Sequence, residues 1–213
     1  MKQQPDLAYN CPMRTYRAVS LNVLWFLIAL CVVIFIFEIA IGEYPIERDG
    51  QIVNRVVQLL GLRPDQLSQH PWTIISSMFV HGDFWHILFN MISLYFLGSF
   101  LIRAAGVRSF LAIYFLGGLV GNILFALIAN PSSTGIGASG AIFAIGGALA
   151  VIVPRVPVFI FFIPVPVPLW VAIIIFFLFS FLPNIAWQAH LGGLLLGLIA
   201  GFILRRRRRT YSF

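Results

Sequence analysis

The chain has 213 residues, of which 60% are hydrophobic and only 10% are charged. A soluble domain averages about 25% charged residues, so this composition excludes an ordinary water-soluble globular protein. Several uncharged runs approach or exceed the roughly 18 residues that mark a transmembrane helix. The composition therefore predicts an all-α polytopic membrane protein with one membrane domain and short tails.

The net charge of +7 is concentrated at one end of the chain. Five of the positive charges form the arginine run at residues 205–209, directly after the last apolar segment. A basic cluster at the end of a span is typically a topology determinant that is attracted to anionic lipid. Membrane lipids are therefore the expected partner of this run, and nucleic acid is not.

Six apolar segments are predicted to cross the membrane. In chain order they are residues 19–41, 84–102, 109–129, 138–153, 168–182 and 187–204. This assignment divides the chain into an N-terminal tail (1–18), a membrane domain (19–204) and a basic C-terminal tail (205–213). The first span is too long for the core of a cleavable signal peptide. Since no targeting extension is visible, the plasma membrane of a bacterium or archaeon is the expected location.

The distribution of basic residues predicts the orientation of the bundle. Most of the 14 Lys and Arg residues fall in the tails, between spans two and three, and between spans four and five. Cytoplasmic segments are enriched in Lys and Arg, so both termini are expected to be cytoplasmic. Spans two, four and six then all run from the outer to the inner face, which brings their first turns to a similar depth.

Two segments outside the regular spans carry further expectations. The long outer loop at residues 42–83 contains a stretch at 56–62 that could form a short amphipathic helix on the bilayer surface. Before the fifth span, the sequence Pro-Val-Pro-Val-Pro cannot supply the hydrogen-bond ladder of a helix. The fifth helix is therefore predicted to begin near Pro168, with residues 158–163 as an apolar loop near the interface.

A serine and a histidine lie in two of the predicted spans. Ser139 begins span four within Gly137-Ala138-Ser139-Gly140, and His190 lies in the first turn of span six. These residue types form a nucleophile and its general base, and polar groups inside a bilayer are functional candidates. The alternatives are a serine that merely sits in a small-residue helix interface, and a histidine that donates to a neighbouring carbonyl.

Small residues at helical spacing predict that spans four and six pack closely. The two faces are His190, Gly193, Gly197 and Gly201 on span six, and Ser139, Phe143 and Gly146 on span four. Small residues spaced in this way let two helix backbones approach each other. If these faces meet, the serine and the histidine come within hydrogen-bonding distance.

His86 and Asn90 are four residues apart and therefore share a face of span two. Both can donate a hydrogen bond without carrying charge, so they could hold the oxyanion that forms when a serine attacks an amide carbonyl. The backbone N–H of Ser139 is a natural third donor. The alternatives are a polar clamp between helices, and a metal site built from His81, His86 and His190, for which ligand spacing gives little support.

Three motifs together resemble those of the rhomboid intramembrane serine proteases. They are His81-Gly-Asp-Phe-Trp-His86-Ile-Leu-Phe-Asn90, Gly137-Ala-Ser139-Gly140 and Ala189-His190-Leu-Gly-Gly193-Leu-Leu-Leu-Gly197. Each motif is modest alone, but their order and their placement on alternate spans are specific. The resemblance covers residues 19–204 and implies the minimal six-helix rhomboid-like bundle.

The resemblance implies a role for each polar residue of the three motifs. Ser139 would be the nucleophile and His190 the base of a dyad without a third acid, while His86 and Asn90 would form the oxyanion hole. Phe143 would pack against the catalytic histidine, where the family often has tyrosine. The supporting small residues are Gly137, Gly140, Gly193 and Gly197. No cofactor and no metal are expected.

The resemblance also implies how substrate reaches the site. Transmembrane proteins would be the substrates, and the apolar start of span five, with the loop before it, would form a lateral gate. In the first outer loop, Trp72 matches the tryptophan of a Trp-Arg pair of the family, but Thr73 stands where arginine is usual.

Two other classes of function compete with a protease. A catalytically silent rhomboid-like protein would bind membrane clients, although such a protein is expected to lack the serine or the histidine, and this chain keeps both. A small transporter or channel would use the same polar cavity, but no internal repeat is visible. The oligomeric state is open, because the face of Gly117 and Gly121 could pack within the fold or between copies.

Overall fold

The computed structural model describes residues 21–41, 46–48, 51–160 and 163–210. Its elements in chain order are α1 (Asn22–Ile41), β1 (Ile46–Arg48), β2 (Gln51–Val53), α2 (Arg55–Leu60), α3 (Thr73–Ser76), α4 (Phe84–Ala105), α5 (Val107–Ile128), α6 (Ser139–Ile152), β3 (Pro157–Ile160), β4 (Ile163–Pro168), α7 (Leu169–Phe179) and α8 (Trp187–Thr210). Single 3₁₀ turns lie at Pro64–Gln66 and Ser77–Phe79.

Each predicted span contains one helix, which confirms the all-α class of the membrane domain. Helices α1, α4, α5 and α8 are long and apolar enough to cross a membrane. Helices α6 and α7 have only 14 and 11 residues. Six crossings, cytoplasmic termini and the three-part division of the chain therefore stay predictions, and the tail at residues 1–18 lies outside the described residues.

Large apolar side chains cover the outside of the described bundle. Phe26 on α1 and Phe96 on α4 are each 65% exposed, and Ile199 on α8 is 62% exposed. An apolar surface of this extent is costly in water but is the normal outer surface of a helix in lipid. The protein is therefore an integral multi-pass membrane protein.

Local sequence signals fix the ends of α4. Asp83 is the N-cap, and its side chain accepts a hydrogen bond from His86 N at 2.9 Å. The helix ends at Gly106, whose φ of 85° lies in the region that glycine occupies at low cost. Together these residues fix both ends of the helix that carries His86 and Asn90.

The catalytic candidates are brought together by close backbone packing between α6 and α8. Side chains built on the α8 glycines would meet α6 backbone: a Cβ at Gly193 would overlap the carbonyl oxygen of Gly140, and one at Gly197 the carbonyl oxygen of Ala144. The predicted glycine face of α8 is confirmed. The predicted face of α6 is confirmed for Ser139 and Phe143, which contact His190 of α8. It is wrong for Gly146, which meets Ile173 of α7.

The paired glycines of α5 also pack inside the bundle. A Cβ at Gly117 would overlap the Cβ of Ala144 on α6, and one at Gly121 would lie 2.5 Å from the carbonyl oxygen of Ala189. Of the two alternatives for this face, packing within the fold is the one observed. Helix α5 thus packs against both α6, at Ala144, and α8, at Ala189.

Gly193→Ala is expected to destabilise the protein, because the obstacle is backbone that cannot rotate away. Overpacking of this kind costs about 1–3 kcal/mol. The matched control is Gly146→Ala, whose new Cβ would lie 2.6 Å from Cδ1 of Ile173, the end of a flexible side chain. Both substitutions gain similar helix propensity, about 1 kcal/mol. Thermal unfolding in detergent should therefore show a lower midpoint for Gly193→Ala alone; equal midpoints would contradict this packing.

The apolar loop predicted at residues 158–163 is wrong, because strands β3 and β4 form an antiparallel hairpin there. Pro157 pairs with Pro168 and Val158 with Val167, with an irregularity between Val158 and Ile160. Prolines at every second position of β4 place their missing N–H groups on one edge of the strand, which leaves the valine N–H groups for pairing. The start of α7 after Pro168 is confirmed.

The outer loop is tied to the segment before α6. The helix expected within residues 56–62 is present as α2, with Asn54 as its N-cap. Leu62 and Gly135 then exchange both backbone hydrogen bonds, at 2.9 and 2.8 Å. Through this bridge the loop holds the chain two residues before Gly137.

Thr73, which stands where the resemblance led us to expect arginine, is buried, and its side chain makes a local hydrogen bond. Its Oγ1 donates to the carbonyl of His70 at 2.7 Å. The neighbouring Trp72 donates its Nε1–H to Leu59 O at 3.0 Å, and Ser76 Oγ donates to Leu60 O at 2.8 Å. In this chain, short hydrogen bonds between α3 and the end of α2 brace the loop.

Candidate active site

Ser139 and His190 face each other across the packed α6–α8 interface. Ser139 is the first residue of α6, and His190 lies in the first turn of α8 and is 7% exposed. The Oγ of Ser139 is 2.7 Å from Nε2 of His190. The predicted approach of the two side chains is therefore observed, while their catalytic roles stay a prediction.

Phe143, one turn after Ser139, lies against the face of the His190 ring. The ring centroids are 4.5 Å apart and the planes are inclined at 33°. The phenyl ring limits rotation of the imidazole and excludes lipid from one side of it. The contact predicted for Phe143 is present.

Ser180 contacts the other nitrogen of His190, and the sequence reasoning missed it. Its Oγ is 2.8 Å from His190 Nδ1, and the residue is 1% exposed. A signal was available, because Ser180 is a polar residue inside the apolar run at residues 169–182, and such residues are functional candidates in membranes. The spacing to His190 across a loop gave no indication that the two would meet.

His86 borders the space beside Ser139 that Gly137 leaves open. A Cβ on Gly137 would lie 2.6 Å from Nε2 of His86 and 3.6 Å from Oγ of Ser139. Gly137 also has a φ of 110°, which side chains rarely tolerate. A glycine here therefore allows the backbone turn and keeps a small pocket open between the imidazole and the hydroxyl.

Asn90 lies one turn after His86 and lines the same cavity. Its Nδ2 donates to the carbonyl of His86 at 2.8 Å, which leaves one amide hydrogen for a further acceptor.

The start of α6 provides a third donor. The helix begins at Ser139 without a side-chain cap, since Ala138 provides none. Its first N–H groups have no partner within the helix. The cavity is therefore bordered by three uncharged donors: the His86 ring, the Asn90 amide and the backbone N–H at Ser139.

The cavity has a volume of about 920 Å³ and extends from Ser139 between two loops. Its lining includes His86, Asn90, Ser139 and His190, together with residues 132–134 before α6 and 184–188 before α8. A space of this size, lined by both polar and apolar side chains, can hold water and a short extended peptide. The polar residues of the three motifs thus share one cavity.

His81 is fully buried next to His86, with the ring centroids 5.3 Å apart, and it is neutral at pH 7. Burial, and to a lesser degree the nearby His86, lowers the pKa of His81 to about 3. Its Nδ1 lies 3.2 Å from the carbonyl of Phe79, to which a neutral ring can donate. Both ring nitrogens of His190 are already engaged by serines. Among the described residues, no three or more His, Cys, Asp or Glu side chains are grouped so that they could hold a metal ion, so His81, His86 and His190 do not form the site that the metal alternative requires.

Glu38 on α1 holds the loop that leads into α4. Its carboxylate is 3% exposed and accepts hydrogen bonds from His81 N at 3.1 Å and Gly82 N at 2.9 Å. The next residue, Asp83, caps α4, whose first turn carries His86. Helix α1 thus positions the donor face of α4 through this chain of contacts.

The start of α7, to which the resemblance assigns the lateral gate, lies at the end of α6 that is distant from Ser139. Leu169 N donates to Val156 O at 2.9 Å, which places the start of α7 beside the far end of α6. Helix α6 has 14 residues, a length of about 21 Å. Because the hairpin makes α6 and α7 antiparallel, the end of α7 reaches the site at Ser180. The loop after it, residues 181–186, adjoins the cavity.

Comparisons with known proteins give a consistent result. A family model described as "Rhomboid domain" matches residues 68–207. Rhomboid protein 1, mitochondrial, of Saccharomyces cerevisiae is 31% identical over 157 residues, which cover 63% of this chain and 42% of that protein. Rhomboid-like protease 3 of Toxoplasma gondii is 30% identical over 99 residues, which cover 46% of this chain and 37% of that protein.

A third relative is YdcA of Bacillus subtilis, 29% identical over 154 residues, which cover 66% of this chain and 71% of that protein. The chain spans less than half the length of the yeast and Toxoplasma relatives. Because the relatives include a mitochondrial protein, the comparisons do not favour the bacterial or archaeal plasma membrane expected from the sequence.

Proposed function

Because the chain belongs to the rhomboid family, we propose that it is an intramembrane serine endopeptidase that cleaves single-span membrane proteins near the outer face. The observation that carries this proposal is the 2.7 Å contact between Ser139 Oγ and His190 Nε2 at the wall of a cavity that His86 and Asn90 also line. A hydroxyl bonded to an imidazole, inside a bundle with an apolar exterior, is the minimal arrangement for acyl transfer.

In the proposed reaction, Ser139 Oγ attacks the scissile carbonyl while His190 Nε2 takes the hydroxyl proton. The carbonyl oxygen becomes an oxyanion, which accepts hydrogen bonds from His86 Nε2–H, Asn90 Nδ2 and the N–H of Ser139. His190 then gives its proton to the leaving amine as the C–N bond breaks. A water molecule, activated in the same way, hydrolyses the acyl-enzyme and restores the serine.

The short catalytic helix favours access of water to the site. Helix α6 is about 21 Å long, whereas the hydrocarbon core of a bilayer is about 30 Å thick. If α6 ends at the inner boundary, Ser139 lies about 9 Å below the outer one. The cavity above it then supplies the water that peptide hydrolysis needs, while the packed glycine faces exclude lipid from below.

This site also restricts the substrates. A transmembrane segment keeps its amides in helical hydrogen bonds, and these must open before a carbonyl can reach Ser139. Substrates are therefore expected to carry small or helix-destabilising residues near the cut. In this proposal residues 19–204 form the protease domain, both termini are cytoplasmic, and the basic run at 205–209 contacts anionic lipid.

The proposal is tested by incubating the purified full chain in liposomes with single-span reporter proteins. Cleavage by the wild type, lost in Ser139→Ala and kept in Ser99→Ala, is the expected result. Ser99 is a matched control because it is also buried, on α4, where its Oγ donates to Phe96 O. Fragment masses locate the cut relative to the membrane. Cleavage that survives Ser139→Ala would refute the nucleophile, and no cleavage of any reporter by folded wild type would favour client binding.

A further inference from the structure

The side chain of Ser180 lies at the nitrogen of His190 to which the proposed reaction gives no role. Ser180 follows the last turn of α7 and is 1% exposed. Its Oγ is 2.8 Å from His190 Nδ1, on the opposite edge of the ring from Ser139. With Phe143 against one face of the ring, the imidazole is held at both nitrogens and on one side.

The two contacts of His190 are compatible with catalysis in only one tautomer. A neutral imidazole carries one N–H and one acceptor nitrogen. To take the proton of Ser139, Nε2 must be the acceptor, so Nδ1 must carry the hydrogen. A buried N–H needs an acceptor of its own. The atom within hydrogen-bonding distance of Nδ1 is the hydroxyl oxygen of Ser180.

We propose that Ser180 is a positioning residue, which accepts a hydrogen bond from His190 Nδ1–H and thereby holds the ring in the tautomer that can deprotonate Ser139. A neutral hydroxyl in this chain takes the place that a carboxylate occupies in a Ser-His-Asp arrangement. The inference rests on the proposed function. Ser180 touches neither the substrate nor the reacting atoms, and it acts through His190.

The contact strengthens as the reaction proceeds. The proton of Ser139 moves to Nε2, whereas the hydrogen on Nδ1 stays in place and remains bonded to Ser180. Once the ring is an imidazolium, that N–H is a charged donor, and charge-assisted hydrogen bonds are roughly twice as strong as neutral ones. Ser180 therefore stabilises the transition state more than the resting enzyme. Its loss should lower kcat rather than raise KM.

Two variants separate the hydroxyl from the packing. Ser180→Ala removes the acceptor and is expected to lower kcat by about 10- to 100-fold with KM unchanged within about twofold. Ser180→Thr keeps a hydroxyl on the same atom and is expected to restore most of the rate. Ser99→Ala, which removes a buried hydroxyl on another helix, is expected to leave the rate unchanged.

The tautomer itself can be read by ¹⁵N NMR of histidine-labelled protein in detergent. The chain has four histidines, and a His190→Gln sample identifies the His190 signals. The wild type is expected to show a protonated Nδ1 and an unprotonated Nε2. In Ser180→Ala the population should move towards the opposite tautomer, and in Ser180→Thr it should return.

The outcomes distinguish this inference from the proposed function. If the wild type cleaves reporters while Ser180→Ala matches it in both kcat and tautomer, the function stands and the role of Ser180 is refuted. A drop in kcat without a change of tautomer, or one that threonine does not rescue, would also overturn the inference in favour of a packing role. If wild-type protein cleaves nothing and its Ser139 resists a fluorophosphonate probe, the proposed function itself fails.

Discussion

Replacing His190 by alanine is expected to lower kcat for a single-span substrate by a factor on the order of 10⁴ to 10⁶. The imidazole both takes the proton of Ser139 and returns it to the leaving amine, so each half of the reaction loses its proton carrier. Ser139→Ala is expected to cause a loss of the same size. KM should change little in either variant, because neither side chain is expected to hold the ground-state peptide.

The sharper form of this prediction concerns the double variant. If Ser139 and His190 act as one unit through their 2.7 Å contact, then Ser139→Ala/His190→Ala should be no less active than either single variant. Initial rates in liposomes at several substrate densities give the comparison. His70→Ala is the control, because His70 contacts Trp72 in the outer loop and does not line the cavity. Additive losses would show that the residues act independently.

Removal of the two side-chain donors of α4 that line the cavity is expected to have the next largest effect. His86→Ala and Asn90→Ala should each lower kcat by about 10²- to 10³-fold, the usual cost of losing one oxyanion donor. The physical reason is that these groups bond the oxygen most strongly once it is charged. The substrate carbonyl gains less from them, so KM should remain nearly constant.

A conservative variant makes this prediction specific. His86→Gln keeps an N–H donor near the pocket bordered by Gly137, and it is expected to retain more activity than His86→Ala. The rate of Ser139 labelling by a fluorophosphonate should fall in parallel, since that reaction also develops charge on oxygen. If His86→Ala raises KM and leaves kcat intact, the residue binds substrate and does not stabilise an oxyanion.

Close packing of α6 and α8 was predictable because it depends on residue size and helical period. Gly193 and Gly197 recur with the spacing of one helix face, and this pattern is readable without coordinates. On α6, the predicted residues Ser139 and Phe143 do meet His190, but the residues that touch the α8 glycines lie one position further along the helix. The observed face uses Ala144 and Ala148, which the sequence reasoning passed over because alanine occurs all along apolar helices.

The β3–β4 hairpin and the contact of Ser180 could not be derived in the same way. A helix face is set by local spacing, whereas strand pairing at Val158 and Val167 depends on two segments meeting in space. The proline run excluded a helix and led to the prediction of a loop, because nothing in the spacing of its residues showed that the segment would pair as a strand. Ser180 reaches His190 only because residues 181–186 turn the chain back, and the length of a loop does not reveal its path.

Glu38 lies outside the region that matches the family model, yet its carboxylate supports residues inside that region. The region that matches the family starts at residue 68 and contains every proposed reacting group. Glu38 lies 30 residues earlier in sequence, yet it fixes the backbone of His81 and Gly82 immediately before the α4 cap. A fragment trimmed to the matched region would therefore keep the full set of chemical groups but lose one of the supports that holds them in register. The structural support of the proposed site therefore begins before the region that the family model matches.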